Sequence, residues 1–266
     1  MRGCRVPTDR SDPARTLELL WRHRAQPEPE SDQGRRGRRG PRQRLDVDRI
    51  IDAAIALADA DGLATVTVRR VAERLGIAPM SLYTYLPGKA GLLELMLDTV
   101  YQRISRREPS VPTWRARLEA VAHDNLDLYE RHPWAAEVGT SRPPLGPGVM
   151  AKYEYELRAL DAAGLDDVER DAALTFLLGF VASCARAATD ARAAYRESAM
   201  SDAEWWAAHQ PLLERMLDAT AYPTAARVGS AAGEAHGAAY SPRYAYEFGL
   251  QRVLDGLGVL IDSRQR

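Results

Sequence analysis

The sequence predicts an all-α chain, and three observations predict it. Apolar residues recur at helical spacing through most of its 266 residues. No stretch alternates with the two-residue period of a strand. Ser, Thr, Asp, Gly and Pro fall where helices start and stop. Apolar residues make up 45% and charged residues 27%, which excludes global disorder and is enough for a sizeable core.

The elements follow in order. Residues 1–44 hold twelve arginines against six acids and five prolines. Within them Ala14–Arg24, with Leu17, Leu20 and Trp21, has the spacing of a short amphipathic helix. Gly34–Arg44 (GRRGRRGPRQR) carries six arginines and no acid. Its glycines and proline forbid a stable helix, so residues 1–44 read as a flexible Arg-rich extension. From Val47, the residues Ile50, Ile51, Ala54, Ile55 and Ala58 make one apolar stripe, with Asp46 as N-cap and Gly62 at the stop. Thr67 caps a second, shorter helix that ends at Gly76. Pro79 opens a third, through Leu86, and Pro87-Gly88 breaks it. A fourth starts near Lys89.

Residues 45–106 thus form one helical module, and 107–266 a larger helical domain. Its helices run roughly 113–131, 148–163, 166–190, 201–218 and 241–262. Residues 219–240, small and Gly-rich, read as a mobile connector. The longest apolar run, Ala172–Ala185, is short for a membrane span and reads as a buried helix, so no membrane partner is expected. The first thirty residues show no apolar signal-peptide core. Cys4 and Cys184 read as reduced thiols, which points to the cytoplasm.

Formal net charge is −1, so overall charge selects no partner. Of 36 basic residues only Lys89 and Lys152 are lysines, so a lone arginine carries little information here. The informative segment is Thr67–Lys89 (TVRRVAERLGIAPMSLYTYLPGK). Two helices crossing through a tight turn need a small residue on the first, a glycine able to reach positive φ at the turn, and an apolar residue facing back from the second. Ala72, Gly76 and Leu82 fill those roles. An ordinary αα-hairpin shares the pattern. The outward positions of the third helix, Pro79, Met80, Ser81, Tyr83, Thr84 and Tyr85, suit base edges, thymine methyls and phosphates. Lys89 with nearby backbone N–H groups suits a phosphate. The module carries seven basic and eight acidic residues, so Arg69, Arg70, Lys89 and the basic extension would have to supply phosphate neutralisation. The extension reads equally as a minor-groove arm or as a solubilising linker.

The segment from about Val47 to Met96 resembles the DNA-binding domain of the tetracycline repressor (TetR) family. Looser marks extend the resemblance: RHPWAAEVGTSRPPLGPG at 131–148, DAAGLDD at 161–167, LTFLLGF at 174–180 and YEFGLQRVLDGLGVLI near the end. The resemblance implies a homodimeric repressor with a helix-turn-helix domain, a recognition helix in the major groove of a palindromic operator, and a C-terminal domain that dimerises and binds a small effector. Arg69, Met80, Ser81, Tyr83, Thr84, Tyr85 and Lys89 fall where family members contact operator DNA, and Thr67 is placed to cap the second helix and touch a phosphate. The family's dimer interface falls on the helices at 166–190 and 241–262, where Gly179, Gly249, Gly256 and Gly258 permit close helix approach.

Candidates for the effector pocket are Trp114, His123, Asn125, Trp134, Phe176 and Phe180, aromatic and polar groups of the kind that line an apolar cavity. The histidine pattern that holds a magnesium–drug complex in the tetracycline repressor is not evident: Ser105 stands near one expected position and Val138–Gly139 at another. No metal or cofactor is expected. A DNA-binding architectural protein without effector is the alternative. An enzyme is not expected, since no Walker loop, HExxH, CxxC cluster or nucleophile elbow occurs, and His23, His123, His132, His209 and His236 are scattered.

Overall fold

A computed structural model describes residues 12–23, 46–106, 113–138 and 142–264. Among these, regular structure is entirely helical. The helices are α1 (Pro13–Leu20), α2 (Val47–Asp61), α3 (Val68–Leu75), α4 (Pro79–Tyr85), α5 (Lys89–Gln102), α6 (Trp114–Arg131), α7 (Trp134–Glu137), α8 (Pro147–Arg158), α9 (Asp167–Ser198), α10 (Asp202–Met216), α11 (Pro223–His236) and α12 (Pro242–Arg264). A 3-10 turn, Leu63–Thr65, joins α2 to α3. The described residues group into two compact units: those within 1–110 and 127–161, and those within 111–126 and 162–266.

In the first unit, Asp46 caps α2 by accepting the Arg49 N–H at 2.8 Å. The α2 stripe of Ile50, Ile51, Ala54 and Ile55 is buried, as are Val71, Ala72, Leu82, Leu92, Leu95 and Met96 from α3–α5. Each of the larger side chains among these, Ile, Val, Leu or Met, contributes about 1.5–3 kcal/mol by leaving water. The unit also takes in α7 and α8. The Trp134 indole N–H donates to Asp59 of α2 at 2.7 Å, and the His132 ring bonds the same carboxylate oxygen at 2.8 Å. α8 has no side-chain cap of its own. Asp98 of α5 replaces one: its carboxylate, buried, accepts the Val149 N–H at 2.8 Å. Gly146 and Gly148 let the two elements approach this closely, since a Cβ on either would fall within 2.4 Å of an Asp98 atom. Behind this joint Lys152 and Glu156 form a buried ion pair at 2.7 Å, with the Lys152 ammonium 5.1 Å from the Tyr101 ring centre.

Of four expectations, one holds, one lies outside the described residues and two change. The short amphipathic helix expected within Ala14–Arg24 is present as Pro13–Leu20 and buries Thr16 and Leu20. The basic run at 34–44 lies outside the described residues. The expected connector 219–240 contains α11, opened by Pro223 at a first-turn position and ended by Gly237 at φ +60°. Its Gly233 lies on the Trp206 ring, where a Cβ would come within 2.6 Å, so this glycine is a packing residue and not a loop signal. Finally, α9 is not a buried helix. It runs 32 residues, is long and apolar enough to cross a membrane by length and composition, and buries only Ala173, Leu174, Leu177, Val181 and Ala185.

In the second unit α9 packs on α12, and Arg115 of α6 bonds Gln251 and Asp255 of α12 at 2.9 and 2.7 Å. Gly249 abuts the Phe180 ring of its own chain: a Cβ there would lie 2.5 Å from Cε2. Gly258 lies in contact with Trp114. Gly179 and Gly256 alone of the four face open space. Two of the glycines expected at a dimer surface therefore accommodate rings within one protomer.

Candidate nucleic-acid interface

The tight turn between α3 and α4 builds the site. Thr67 caps α3, its hydroxyl accepting the Arg70 N–H at 3.2 Å. Gly76 follows α3 in the left-handed region at φ +69°, ψ 33°, and the Ile77 N–H returns to the Ala72 carbonyl at 3.0 Å. That closes the helix as a glycine C-cap does. Pro79 starts α4 at its first-turn position. Val71, Ala72 and Leu82 are buried together, so the crossing that Ala72, Gly76 and Leu82 suggested is present.

With Leu82 turned inward, most of the rest of α4 faces water. Pro79, Ser81 and Thr84 are exposed, Met80 is 75% exposed and Tyr83 50%. Tyr85 is half-buried. This face offers a thioether for methyl contact, hydroxyls that donate and accept, and an aromatic edge, on a helix with the diameter of a major groove. Lys89 stands half-exposed in the first turn of α5, whose start has no side-chain cap, so its ammonium and the free N–H groups suit one phosphate oxygen cluster.

The two arginines of α3 are already engaged. Arg69 Nε donates to Glu73 at 2.8 Å, and Arg70 donates to Asp61 at 2.8 Å. The Glu73 carboxylate holds the Arg69 guanidinium above its ordinary range, through its hydrogen bond first and its charge second. Sequence reasoning missed two further cations of this region. Arg74 is exposed in the last turn of α3. Arg15 of α1 donates to the Thr84 carbonyl at 2.5 Å across 69 residues of chain, a contact with no local signal.

The six effector-pocket candidates do not form one group. Trp134 lies in the first unit, fully buried against Asp59. The other five lie in the second unit. His123 Nδ1 bonds the Glu119 carbonyl at 2.7 Å, and its ring meets Tyr246 edge-on at 6.0 Å. Phe180 stacks on the same Tyr246 at 6.0 Å. Asn125 is buried and donates to the Val121 carbonyl at 2.8 Å. Trp114 packs by Gly258, and Phe176 is 59% exposed on the outer side of α9. Tyr246, which gathers His123 and Phe180, was not singled out from the sequence, because its YxYEF surroundings give no sign of which aromatic turns inward.

Comparison with known proteins agrees with this architecture. Residues 50–96 match the family described as bacterial regulatory proteins, tetR family, and residues 108–261 match the tetracyclin repressor-like C-terminal domain. The chain is 43% identical over 257 residues to the HTH-type transcriptional repressor DrrR1 of Streptomyces coeruleorubidus, covering 96% of this chain and 88% of that one. Among solved structures, apo ActR of Streptomyces coelicolor superposes with a TM-score of 0.66 at 25% identity, over 82% of this chain and 97% of ActR. ActR in complex with actinorhodin gives the same TM-score and identity, over 81% and 96%.

Proposed function

The chain belongs to the TetR family of bacterial regulatory proteins, a DNA-binding transcriptional regulator with an N-terminal helix-turn-helix, and from that premise we propose how its own residues do the work. α4 enters the major groove and reads base edges through Met80, Ser81, Tyr83, Thr84 and the exposed edge of Tyr85. Pro79 fixes the approach of the helix, Thr67 and Lys89 hold phosphates, and Arg69 does so after leaving Glu73. The carrying observation is the exposed, hydroxyl-rich face of α4, held outward by buried Leu82.

A small molecule relieves repression by favouring a conformation that fits the operator less well, so the chemistry is differential binding and not catalysis. Residues 45–106 serve DNA and 107–266 serve effector and dimer. Within the latter, His123, Phe180 and Tyr246 are the aromatic group best placed to meet an effector. ActR was solved holding actinorhodin, so that compound is the first to try. The working molecule is a cytoplasmic homodimer. Support comes from the uncovered apolar face of α9 and α12, where Phe176 and Val259 (73% exposed) flank the open Gly179 and Gly256.

The test selects a duplex from a random-sequence pool with the wild-type chain. Tyr83→Ala is expected to weaken that duplex by about tenfold or more, the scale of a lost base contact, with unchanged melting temperature. Equal affinity for the selected duplex would remove α4 as the reading helix. A two-fold symmetric selected sequence supports the dimer, and release on adding actinorhodin supports the effector reading.

A further inference from the structure

α1 lies outside the helix-turn-helix, yet it and the residues just after it fasten to three points of that module: the end of α4, the start of α5 and the start of α2. The first is the C-terminal end of α4. The last carbonyls of a helix have no partner within it, and a cation there also meets the negative end of its dipole. α4 has no basic residue in its last turn. Arg15 supplies one from α1, its guanidinium donating to the Thr84 carbonyl at 2.5 Å.

The second point is the start of α5. Thr16 is buried beside Gly91, where a Cβ would come within 3.1 Å of the Thr16 hydroxyl and 2.5 Å of Pro87 Cγ. Any side chain at position 91 would push apart α1 and the proline that follows α4. The glycine weakens the first turn of α5, and the seating of α1 accounts for it. The third point is the start of α2. Arg22 pairs with Asp48 there, and its guanidinium also donates to the Leu19 carbonyl at 2.7 Å, fastening the end of α1. Burial raises the Asp48 carboxyl, but the hydrogen bonds from Arg22 and His23 outweigh it and hold the group below its usual value. Beyond this, the Trp21 indole N–H donates to the Leu145 carbonyl at 2.8 Å, just ahead of α8.

We propose that α1 is a brace for the DNA-reading helix and that Arg15 is its positioning residue, fixing the C-terminal end of α4 through the Thr84 carbonyl. The inference rests on the reading of α4 as the helix that enters the groove. Arg15 acts on the backbone of α4, so it sharpens the match between α4 and its preferred sequence without itself neutralising a phosphate. It differs in this from a phosphate contact, and also from a residue that merely keeps the chain folded.

The test compares the full-length wild type with Arg15→Ala, Arg15→Lys and Leu17→Ala, the last on the exposed face of α1. Each is titrated against the pool-selected duplex and a scrambled duplex over a range of salt, and melted by circular dichroism. Arg15→Ala is expected to lose about tenfold on the selected duplex, the scale of one lost base contact, and nothing on the scrambled one. Its salt slope stays as in wild type, Arg15→Lys regains part of the loss, and Leu17→Ala matches wild type. An equal loss on both duplexes, with the slope reduced by about 0.9, would make Arg15 a phosphate contact and overturn the brace. Unchanged affinity with a lowered melting temperature would overturn it too, leaving α1 a stabiliser only. A wild type that binds neither duplex overturns the DNA-binding reading itself, whereas a wild type that binds and an Arg15→Ala that binds equally overturns the brace alone.

Discussion

Arg69 and Arg70 stand at the start of α3 with their charge committed to Glu73 and Asp61. A phosphate must displace a carboxylate to reach either, so the positive potential of this face is smaller than a count of arginines suggests. Glu73→Gln removes one competitor. We expect it to tighten binding to a random duplex by about two- to tenfold at low ionic strength, with a steeper salt slope. An unchanged slope would place Arg69 off the phosphates. At this scale the sequence spoke unevenly. Ala72, Gly76 and Leu82 were legible because their spacing is dictated by one local turn. Arg15 was not, because its partner is a backbone carbonyl 69 residues away. The pairing of Arg69 with Glu73 was readable from i,i+4 spacing, but its bearing on the charge available for DNA shows only when both side chains are seen together.

The joint between α5 and α8 shows what an element borrows from another. Asp98 ends the unmet N–H groups of α8 from outside, and it does so from a buried position. Burial raises its carboxyl above the usual range, and the backbone hydrogen bonds from Val149 and Gly148 only partly oppose this. A raised folded-state value means that protonation favours the folded state. The relief is complete below the unfolded value near 3.8 and is lost as pH rises through the raised one. Asp98→Asn keeps an acceptor and removes the charge. It is expected to match or exceed wild-type stability at pH 7 and to flatten the pH dependence of melting in the acid range. Asp98→Ala leaves a buried N–H unmet and should cost about 1–3 kcal/mol by denaturant titration. An Asn variant less stable than the Ala variant would refute this account. Sequence patterning located α2–α5 within a residue or two, since caps and breakers stand at their ends. It lost α11, whose glycines read as loop until Trp206 is seen lying on Gly233.

For the whole molecule the decisive surface is the outer side of α9 and α12. A 32-residue helix that buries five of its side chains leaves apolar area that a second copy can cover. Gly249 is unsuited to testing this, because any side chain there strikes Phe180 of the same chain. Val259 touches the question directly. Val259→Glu is expected to sediment as a monomer, keep its helical content, and bind operator far more weakly, since one subunit reads one half-site. A Val259→Glu variant still dimeric would move the interface elsewhere. The apolar length of α9 was plain in the sequence, but which of its faces meets its own chain depends on α12, more than forty residues on, and no local period encodes that choice. The Trp134 indole, buried in the first unit and hydrogen-bonded to Asp59 of α2, is a built-in optical gauge. Any event that parts α7 from α2 must wet that ring and shift its fluorescence to the red, so a variant with Trp21, Trp114, Trp205 and Trp206 replaced by Phe follows that parting without an added label.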